Sequence, residues 1–319
     1  MNVVNQLIKP KYALYHADCI DVARTLPDDS IDYSIFSPPF GNDLYAYSNQ
    51  TRDMGNGPSY RAFARHYALL AKELLRIVKP GRLVSVHCMD LPRFKERHGY
   101  IGMFDFPGSL TRLMEKAGFI YHCKTMIRKN PVVQATRTNA VQLLHNAVVR
   151  DSSFSGAAIA DYLVTFKKPG KNPEPIKGCF TEYQGTMPEP RGPYTADDDT
   201  RNPYSVEVWQ RYAESVWMDI RQTDTLQLTD VRESKEKHIC LLQLDVYRRG
   251  YQIWTNPGDI VYEPFGGFGS GGAVAMEMGR RYIASELKEA YYNQMCLNMD
   301  DAQKKSGQMT MFDLADVVA

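Results

Sequence analysis

Two short stretches of this sequence hold residue types that chemistry requires in a fixed arrangement. The first is Ser37-Pro38-Pro39-Phe40, directly after the run IDYSIF. Consecutive prolines fix the backbone and remove N–H donors, which leaves carbonyl oxygens free to accept. The Ser37 oxygen accepts as well, and the Phe40 ring is a stacking platform for a planar base. Together they suit an extruded nucleobase that carries an amino group. A turn that merely ends a strand is the competing account. It explains less here, because the motif follows a strand opened by LPDDSID, where an open α/β sheet places its ligands.

The second stretch is Glu263-Pro264-Phe265-Gly266-Gly267-Phe268-Gly269-Ser270-Gly271-Gly272, between the strand DIVYE and the helix AVAMEMG. Five glycines within seven residues let a backbone pass close to a ligand. The helix that follows offers free N–H groups. No G-K-[ST] follows, so a Walker phosphate loop is excluded, while a dinucleotide-binding loop stays open. Glu286, at the end of the next strand RYIAS, discriminates further. An acid there accepts hydrogen bonds from ribose hydroxyls, as in adenosine-binding α/β folds. The alternative is a surface carboxylate favoured by a helix dipole.

These residues need a scaffold, and the patterning supplies one. Seven stretches read as strands: Tyr12–Tyr15, Ile31–Phe36, Arg82–Cys88, Phe119–Ile127, Asp161–Phe166, Asp259–Glu263 and Arg281–Ser285. Helical periodicity is clearest over Ser59–Val78, where Phe63, Tyr67, Leu70, Leu74 and Ile77 recur at spacings of four and three. Lys79-Pro80-Gly81 is expected to stop that helix, with Gly81 as a left-handed cap. Strands alternating with helices imply a mostly parallel sheet covered on both faces. The stretch Pro169–Glu236 breaks the rhythm and reads as an inserted module, a recognition element or a linker.

In motif and order the sequence resembles the permuted β class of amino-methylating DNA methyltransferases. A [DNS]-P-P-[YFW] motif near the N-terminus precedes an F-x-G-x-G motif near the C-terminus, here Ser37–Phe40 and then Phe265–Gly269. The context HADCIDVARTLPDDSIDYSIFSPPF and the block from KHICLLQLDVY to GRRYIASELKEAYYNQ match too. RDMGNG, GRLVSVHCMDLP and DYLVTFKKPGKNPEP are similar to a phage and prophage subgroup. The glycine loop opens E-P-F-G-G-F where D-P-F-x-G is commoner, and His238 is followed by Ile-Cys where Pro-Cys or Thr-Cys is common.

The resemblance implies the S-adenosylmethionine-dependent methyltransferase fold: a seven-stranded, mostly parallel sheet with an inserted target-recognition region. It implies a catalytic half over 1–168 and a cofactor-binding half over 236–300. The recognition region would span 125–235, loop-rich from 169, and a flexible tail 301–319. S-adenosylmethionine is the implied cofactor. Asp18, Lys237, His238, Glu263, Phe265, Gly267, Gly269, Ser270 and Glu286 would hold it. Asp18 would read the adenine end, and Lys237 and His238 would border the methionine end. Ser37, Pro38, Pro39 and Phe40 match the target-base pocket.

The implied reaction moves a methyl group to cytosine N4 or adenine N6 of a base flipped from duplex DNA. Acceptors at Ser37 and Pro38 would bind the two amino hydrogens and aim the nitrogen lone pair. Direct in-line transfer then depends mainly on positioning. No Pro-Cys dipeptide exists, so the covalent route of carbon-5 enzymes is not expected. Serine in the first motif position is usual for N4-cytosine enzymes, which favours cytosine. Rival readings are an RNA or protein-amide methyltransferase, whose glycine loop usually comes first, and an inactive DNA-binding relic, against which every motif position is filled.

Composition sets the remaining bounds. The chain has 319 residues, a net charge of +1, 44% hydrophobic and 24% charged residues, typical of a soluble globular protein. No run is apolar enough to cross a membrane and no secretory signal opens it, so the cytoplasm is expected, of the bacterial host if phage-encoded. Six scattered cysteines form no C-x-x-C pair, so neither zinc nor a disulfide framework is expected. Lys116–Arg150 holds six basic residues and no acidic one, and makes Lys124, Arg128, Lys129 and Arg137 candidates for DNA phosphate contacts. Thr195–Glu236 holds ten acidic and five basic residues, a candidate homodimer interface. Near the end, Gln308, Met311 and Phe312 resemble the peptides that dock on bacterial sliding clamps. The alternative, and the preferred reading, is a tail that packs on its own domain.

Overall fold

All six residues of β3 (Ile31–Phe36) are buried. A strand covered on both faces belongs inside a sheet. There it lies, between β10 (Ile260–Glu263) and β4 (Val78–Met89), in the order β1-β2-β11-β10-β3-β4-β8-β7-β9. The structure is a computed structural model and describes residues 3–40, 53–56, 59–138, 140, 144–177, 209–226 and 241–307. Lys237, His238, Cys179, Cys240 and the tail residues Gln308, Met311 and Phe312 lie outside the described residues.

Five neighbouring strands run parallel: β2 (Tyr12–His16), β11 (Arg281–Glu286), β10, β3 and β4. Beyond β4, β8 (Asp161–Lys167) and β7 (Ile120–Ile127) each pair antiparallel with the strand before them. The seven strands expected from the sequence are all present. Among the described residues the sheet nevertheless has nine strands, because two short ones extend its edges: β1 (Asn5–Ile8) beside β2, and β9 (Val216–Trp217) beside β7. Both escape sequence patterning: β1 is largely exposed and β9 is two residues long. A separate hairpin joins β5 (Leu91–Arg93) to β6 (Gly102–Phe104).

Helices cover both faces. On one lie α1 (Cys19–Thr25), α2 (Tyr60–Ile77) and α3 (Phe106–Ala117), packing Val22, Phe63, Leu70 and Leu110 against the sheet. On the other lie α5 (Leu244–Trp254), α6 (Ser270–Glu277) and α7 (Glu289–Ser306), with Val246, Val274 and Met295. A shorter helix, α4 (Pro131–Thr138), follows β7. Helix α7 extends into the stretch read as a flexible tail from 301.

Helix α2 shows how local sequence sets these elements. Ser59 Oγ accepts from Ala62 N at 3.3 Å and caps the first turn. Phe63, Tyr67, Leu70, Ala71, Leu74 and Ile77 form one buried stripe. Each large apolar side chain so buried contributes roughly 1.5–3 kcal/mol. The helix stops before Lys79-Pro80-Gly81 as expected, and only the role of Gly81 as its cap is corrected. The helix ends at Ile77, Val78 is extended, and Lys79, Pro80 and Gly81 already belong to β4. Gly81 is left-handed (φ +74°) within β4 rather than as a cap, and a Cβ there would meet Asn172 N at 2.4 Å, so both backbone and space call for glycine.

At the amino ends of β3 and β4 a buried ionic cluster clamps the three central strands. Lys79 Nζ lies 2.5 Å from Asp32 Oδ1, and Arg82 Nη1 lies 3.0 Å from Asp259 Oδ2. Asp32 Oδ2 also accepts from Ile260 N at 2.9 Å, fixing β10 against β3. The opposite, carboxyl edge is thereby left to loops.

Candidate active site

Connections leave β3 and β10 in opposite directions across the sheet: β3 leads through α2 to β4, and β10 leads through α6 to β11. The crevice between them is a topological switch point, where open α/β sheets hold ligands. A cavity of about 400 Å³ opens there, within the range of sites for cofactor-sized molecules. Its wall gathers Asp18 after β2, Ser37–Phe40 after β3, Glu263–Phe268 at and beyond the end of β10, and Glu286 at the end of β11. Residues far apart in sequence meet because four parallel strands end at one edge.

The glycine loop is fastened to Glu286. Gly267 N donates to Glu286 Oε2 at 2.9 Å, and Lys288 N donates to Oε1 at 2.8 Å. Gly267 takes φ +53°, which glycine adopts without strain, and this turns its N–H toward the carboxylate. Burial pushes the Glu286 carboxyl up to about 7, against the lowering effect of the Lys288 and Gly267 N–H groups. Glu263 is buried more completely, and Tyr247 and Tyr282 both donate to it through their hydroxyls. Burial pushes its carboxyl up to about 8, although both phenols favour the charged form.

Ser270 Oγ is buried in the same wall without a hydrogen-bond partner among the described residues. An orphaned polar atom beside a cavity is what a polar ligand group satisfies. Asp18 faces the cavity while its Oδ1 caps α1, accepting from Ile20 N at 2.9 Å and Asp21 N at 3.3 Å. Phe265 lines the wall between these polar groups. Acidic acceptors, an orphaned hydroxyl and apolar walls together fit S-adenosylmethionine, which has hydroxyl donors, a charged amino-acid end and a flat ring.

Gly269 has a loop-shaping place in this structure. It does not line the cavity; its N donates to Gly266 O at 2.8 Å, and a Cβ there would meet Met295 Cγ at 3.0 Å. Its place is to turn the loop into α6. Tyr247 and Tyr291 line the cavity without having been singled out from the sequence. The spacing of Tyr247 on α5 marks it only as a core position.

On the other side of Ser37 and Phe40 is a smaller cavity of about 40 Å³, lined also by His87, Lys129, Gln134 and Asp161. Phe40 is held edge-on against Phe106, with ring centroids 6.0 Å apart. His87 Nδ1 lies 3.3 Å from Ser37 Oγ. Sequence reasoning did not single out His87, since one histidine inside the apolar strand RLVSVHC carries no spacing pattern.

The four basic candidates for DNA contact separate. Lys124, Arg128 and Arg137 are exposed. Lys124 lies over the Tyr162 ring, 5.2 Å from its centroid, and Arg137 borders the smaller cavity. Lys129 is corrected: its ammonium is buried 2.6 Å from Asp161 Oδ2 and does not face solvent. No group of three or more His, Cys, Asp or Glu among the described residues has the arrangement of a metal site. No described helix is long and apolar enough to cross a membrane.

Comparison with known proteins agrees with this geometry. The N6/N4 family model described as "DNA methylase" matches residues 31–296. The Type II methyltransferase M.BamHI of Bacillus amyloliquefaciens is 24% identical over an alignment of 314 residues that covers 94% of this chain. The chain spans 61% of the length of that relative. TTHA0409 of Thermus thermophilus, a putative DNA modification methylase solved in complex with S-adenosyl-L-methionine, superposes with a TM-score of 0.62. It is 18% identical, over 91% of this chain and 93% of its own. The cytosine-N4-specific PvuII DNA methyltransferase superposes with a TM-score of 0.58 at 15% identity, over 96% of each chain. These superpositions establish a shared fold.

Proposed function

Given that the chain belongs to the N6/N4 DNA methylase family, we propose that it transfers a methyl group from S-adenosylmethionine to an exocyclic amine of a DNA base, cytosine N4. One observation carries this reading: the large, acid-lined cavity and the small one meet at Ser37 and Phe40. A methyl donor in the large cavity and a target amine held at Ser37 and Pro38 would meet in direct contact beside Ser37-Pro38-Pro39-Phe40.

The residues divide the work. Glu286 and Asp18 keep lone pairs for the hydroxyl and ring donors of the cofactor, beyond those used on backbone N–H groups. Ser270 and Glu263 suit its charged amino-acid end. When bound, S-adenosylmethionine supplies a sulfonium methyl, an electrophile that needs no covalent enzyme intermediate. Ser37 Oγ and the Pro38 carbonyl accept the two amino hydrogens and draw the nitrogen lone pair out of the ring plane. Phe40 presents an apolar wall to the base. The remaining catalysis is alignment, for which holding two reactants in near-attack geometry is the main source of rate.

The target must leave the duplex to reach so recessed a site. Lys124, Arg128 and Arg137, exposed on and after β7, would hold DNA phosphates. Ser37 in the leading motif position supports cytosine over adenine. The likeness to a Type II methyltransferase supports a role in restriction–modification, with duplex DNA as partner.

The test is transfer of labelled methyl from S-adenosylmethionine to unmethylated duplex DNA, followed by nucleoside mass spectrometry. N4-methylcytosine is the expected product. N6-methyladenine would keep the mechanism and overturn the base. Label confined to RNA or protein would overturn the substrate class.

A further inference from the structure

Behind Ser37 runs a chain of buried polar groups that the reaction above does not use. His87 Nδ1 is 3.3 Å from Ser37 Oγ, and its Nε2 is 2.9 Å from Asp161 Oδ2. Lys129 Nζ is 2.6 Å from the same Asp161 oxygen and 3.3 Å from Gln243 Oε1. His87, Asp161, Lys129 and Gln243 are all buried. They come from β4, β8, the turn after β7 and the residue before α5. Four separate elements thus converge behind one hydroxyl. Burying so many polar groups without function is costly, since each must be matched in a low dielectric.

Charge assigns the hydrogens. Burial alone would push the Asp161 carboxyl up, but the Lys129 ammonium 2.6 Å away keeps it ionised. An ionised carboxylate only accepts, so His87 Nε2 carries the hydrogen that faces it. In a neutral imidazole Nδ1 is then bare, and the Ser37 hydroxyl donates to it. That turns the serine oxygen's lone pairs toward the crevice.

We propose that His87 is a positioning residue for methyl transfer, aiming Ser37 Oγ at the target amine and receiving, through Ser37, the proton that the amine loses. This rests on the reading of Ser37 as the amine acceptor. The amine nitrogen forms its new N–C bond as the C–S bond breaks, with the bonding pair left on sulfur. The nitrogen, now cationic, gives one proton to Ser37 Oγ while the serine's own proton moves to His87 Nδ1. The imidazolium so formed faces the Asp161 carboxylate and returns its proton to solvent water. Asp161 orients the ring throughout, and Lys129 balances the carboxylate in the resting chain.

The experiment compares the whole protein with Ser37→Ala, His87→Asn, His87→Gln and the double variant S37A/H87N. Each is given long unmethylated duplex DNA made by polymerase amplification. The asparagine in H87N can still accept from Ser37 but takes no proton. The longer glutamine in H87Q reaches toward Asp161 but leaves Ser37 unsupported. The expected result is a loss in kcat on the order of 100-fold for both His87 variants, with DNA KM and S-adenosylmethionine Kd within about twofold. The double variant should be no slower than S37A, because His87 acts through Ser37. Cofactor binding by the same preparations reports whether each variant is folded, and either folded His87 variant suffices. A folded variant with wild-type kcat overturns the inference. So does a loss that appears equally in KM and cofactor Kd, or one that adds to that of S37A. If S37A itself keeps wild-type kcat, the reading of Ser37 fails instead, whatever the His87 variants do.

Discussion

The Gly267 N–H donates to Glu286 Oε2 at 2.9 Å, and through it the turn after β10 is tied to the end of β11. The second oxygen of Glu286 is engaged in the same way by Lys288 N. A glutamine has one acceptor oxygen, so in Glu286→Gln its amide nitrogen must face a backbone donor. We expect S-adenosylmethionine affinity to fall by roughly 10- to 100-fold, the scale of a lost charge-assisted hydrogen bond. Titration calorimetry checks this. Unchanged affinity would remove Glu286 from the cofactor site.

Cofactor binding should release protons at neutral pH. Burial raises Glu286 to about 7 and Glu263 to about 8. Hydroxyl donors arriving at Glu286, and positive charge near Glu263, favour the ionised forms and lower both values. Affinity should therefore rise with pH through about 7 and weaken as Glu286 protonates below it, by up to about tenfold per unit. Calorimetry in buffers of different ionisation enthalpy counts the protons. A buffer-independent enthalpy would show that neither carboxyl changes state.

Glu263 makes the cofactor-free protein less stable in alkali. Its carboxyl has an ordinary value of 4.5 and is raised to about 8 by burial. Between those values the folded chain holds a proton that the unfolded chain has lost. Stability from this group is thus fully present below about 4.5 and declines as pH rises toward 8. Glu263→Gln removes the decline. We expect its cofactor-free melting temperature to exceed that of the unaltered protein at about pH 8 and to match it near about pH 5. The reverse order would mean that the Tyr247 and Tyr282 hydrogen bonds outweigh the burial of charge.

The exposed and buried cations should behave differently in salt. Neutralising Arg128 or Lys124 by alanine should reduce the slope of log affinity for duplex DNA against log salt by about 0.9 each. Lys129→Met should leave that slope unchanged but lower stability by about 3–5 kcal/mol, because the buried Asp161 charge loses its cation and keeps only the His87 hydrogen bond. Filter binding across a salt series, with chemical denaturation in parallel, separates the two effects. A reduced slope for Lys129→Met would place its ammonium on DNA.

Both cavity motifs, the seven principal strands and the long amphipathic helix were legible in the sequence, because each is a local pattern. Ser37–Phe40 and Glu263–Gly272 are contiguous, and α2 shows its stripe within eighteen residues. The His87–Asp161–Lys129 group is not local. His87 pairs with Leu163 and Met89 with Asp161 in the β4–β8 register, so His87 and Asp161 are diagonal neighbours on one face. Ile127 pairs with Asp161 in the β7–β8 register, and Lys129 follows two residues later. Only that register turns a cation in an apparently basic stretch into a buried one.

The pairing of β3 with β10 has a consequence for biosynthesis. The two strands lie more than two hundred residues apart, yet Ser34 Oγ donates to Tyr262 O across their junction. At about 5–20 residues per second, a ribosome needs on the order of ten to forty seconds to deliver the second strand after the first. Throughout that interval the apolar strand IDYSIF has one unpaired backbone edge, the kind of surface that invites association between nascent chains. The order of strands along the chain thus places a strand buried on both faces early and one of its two covering partners late.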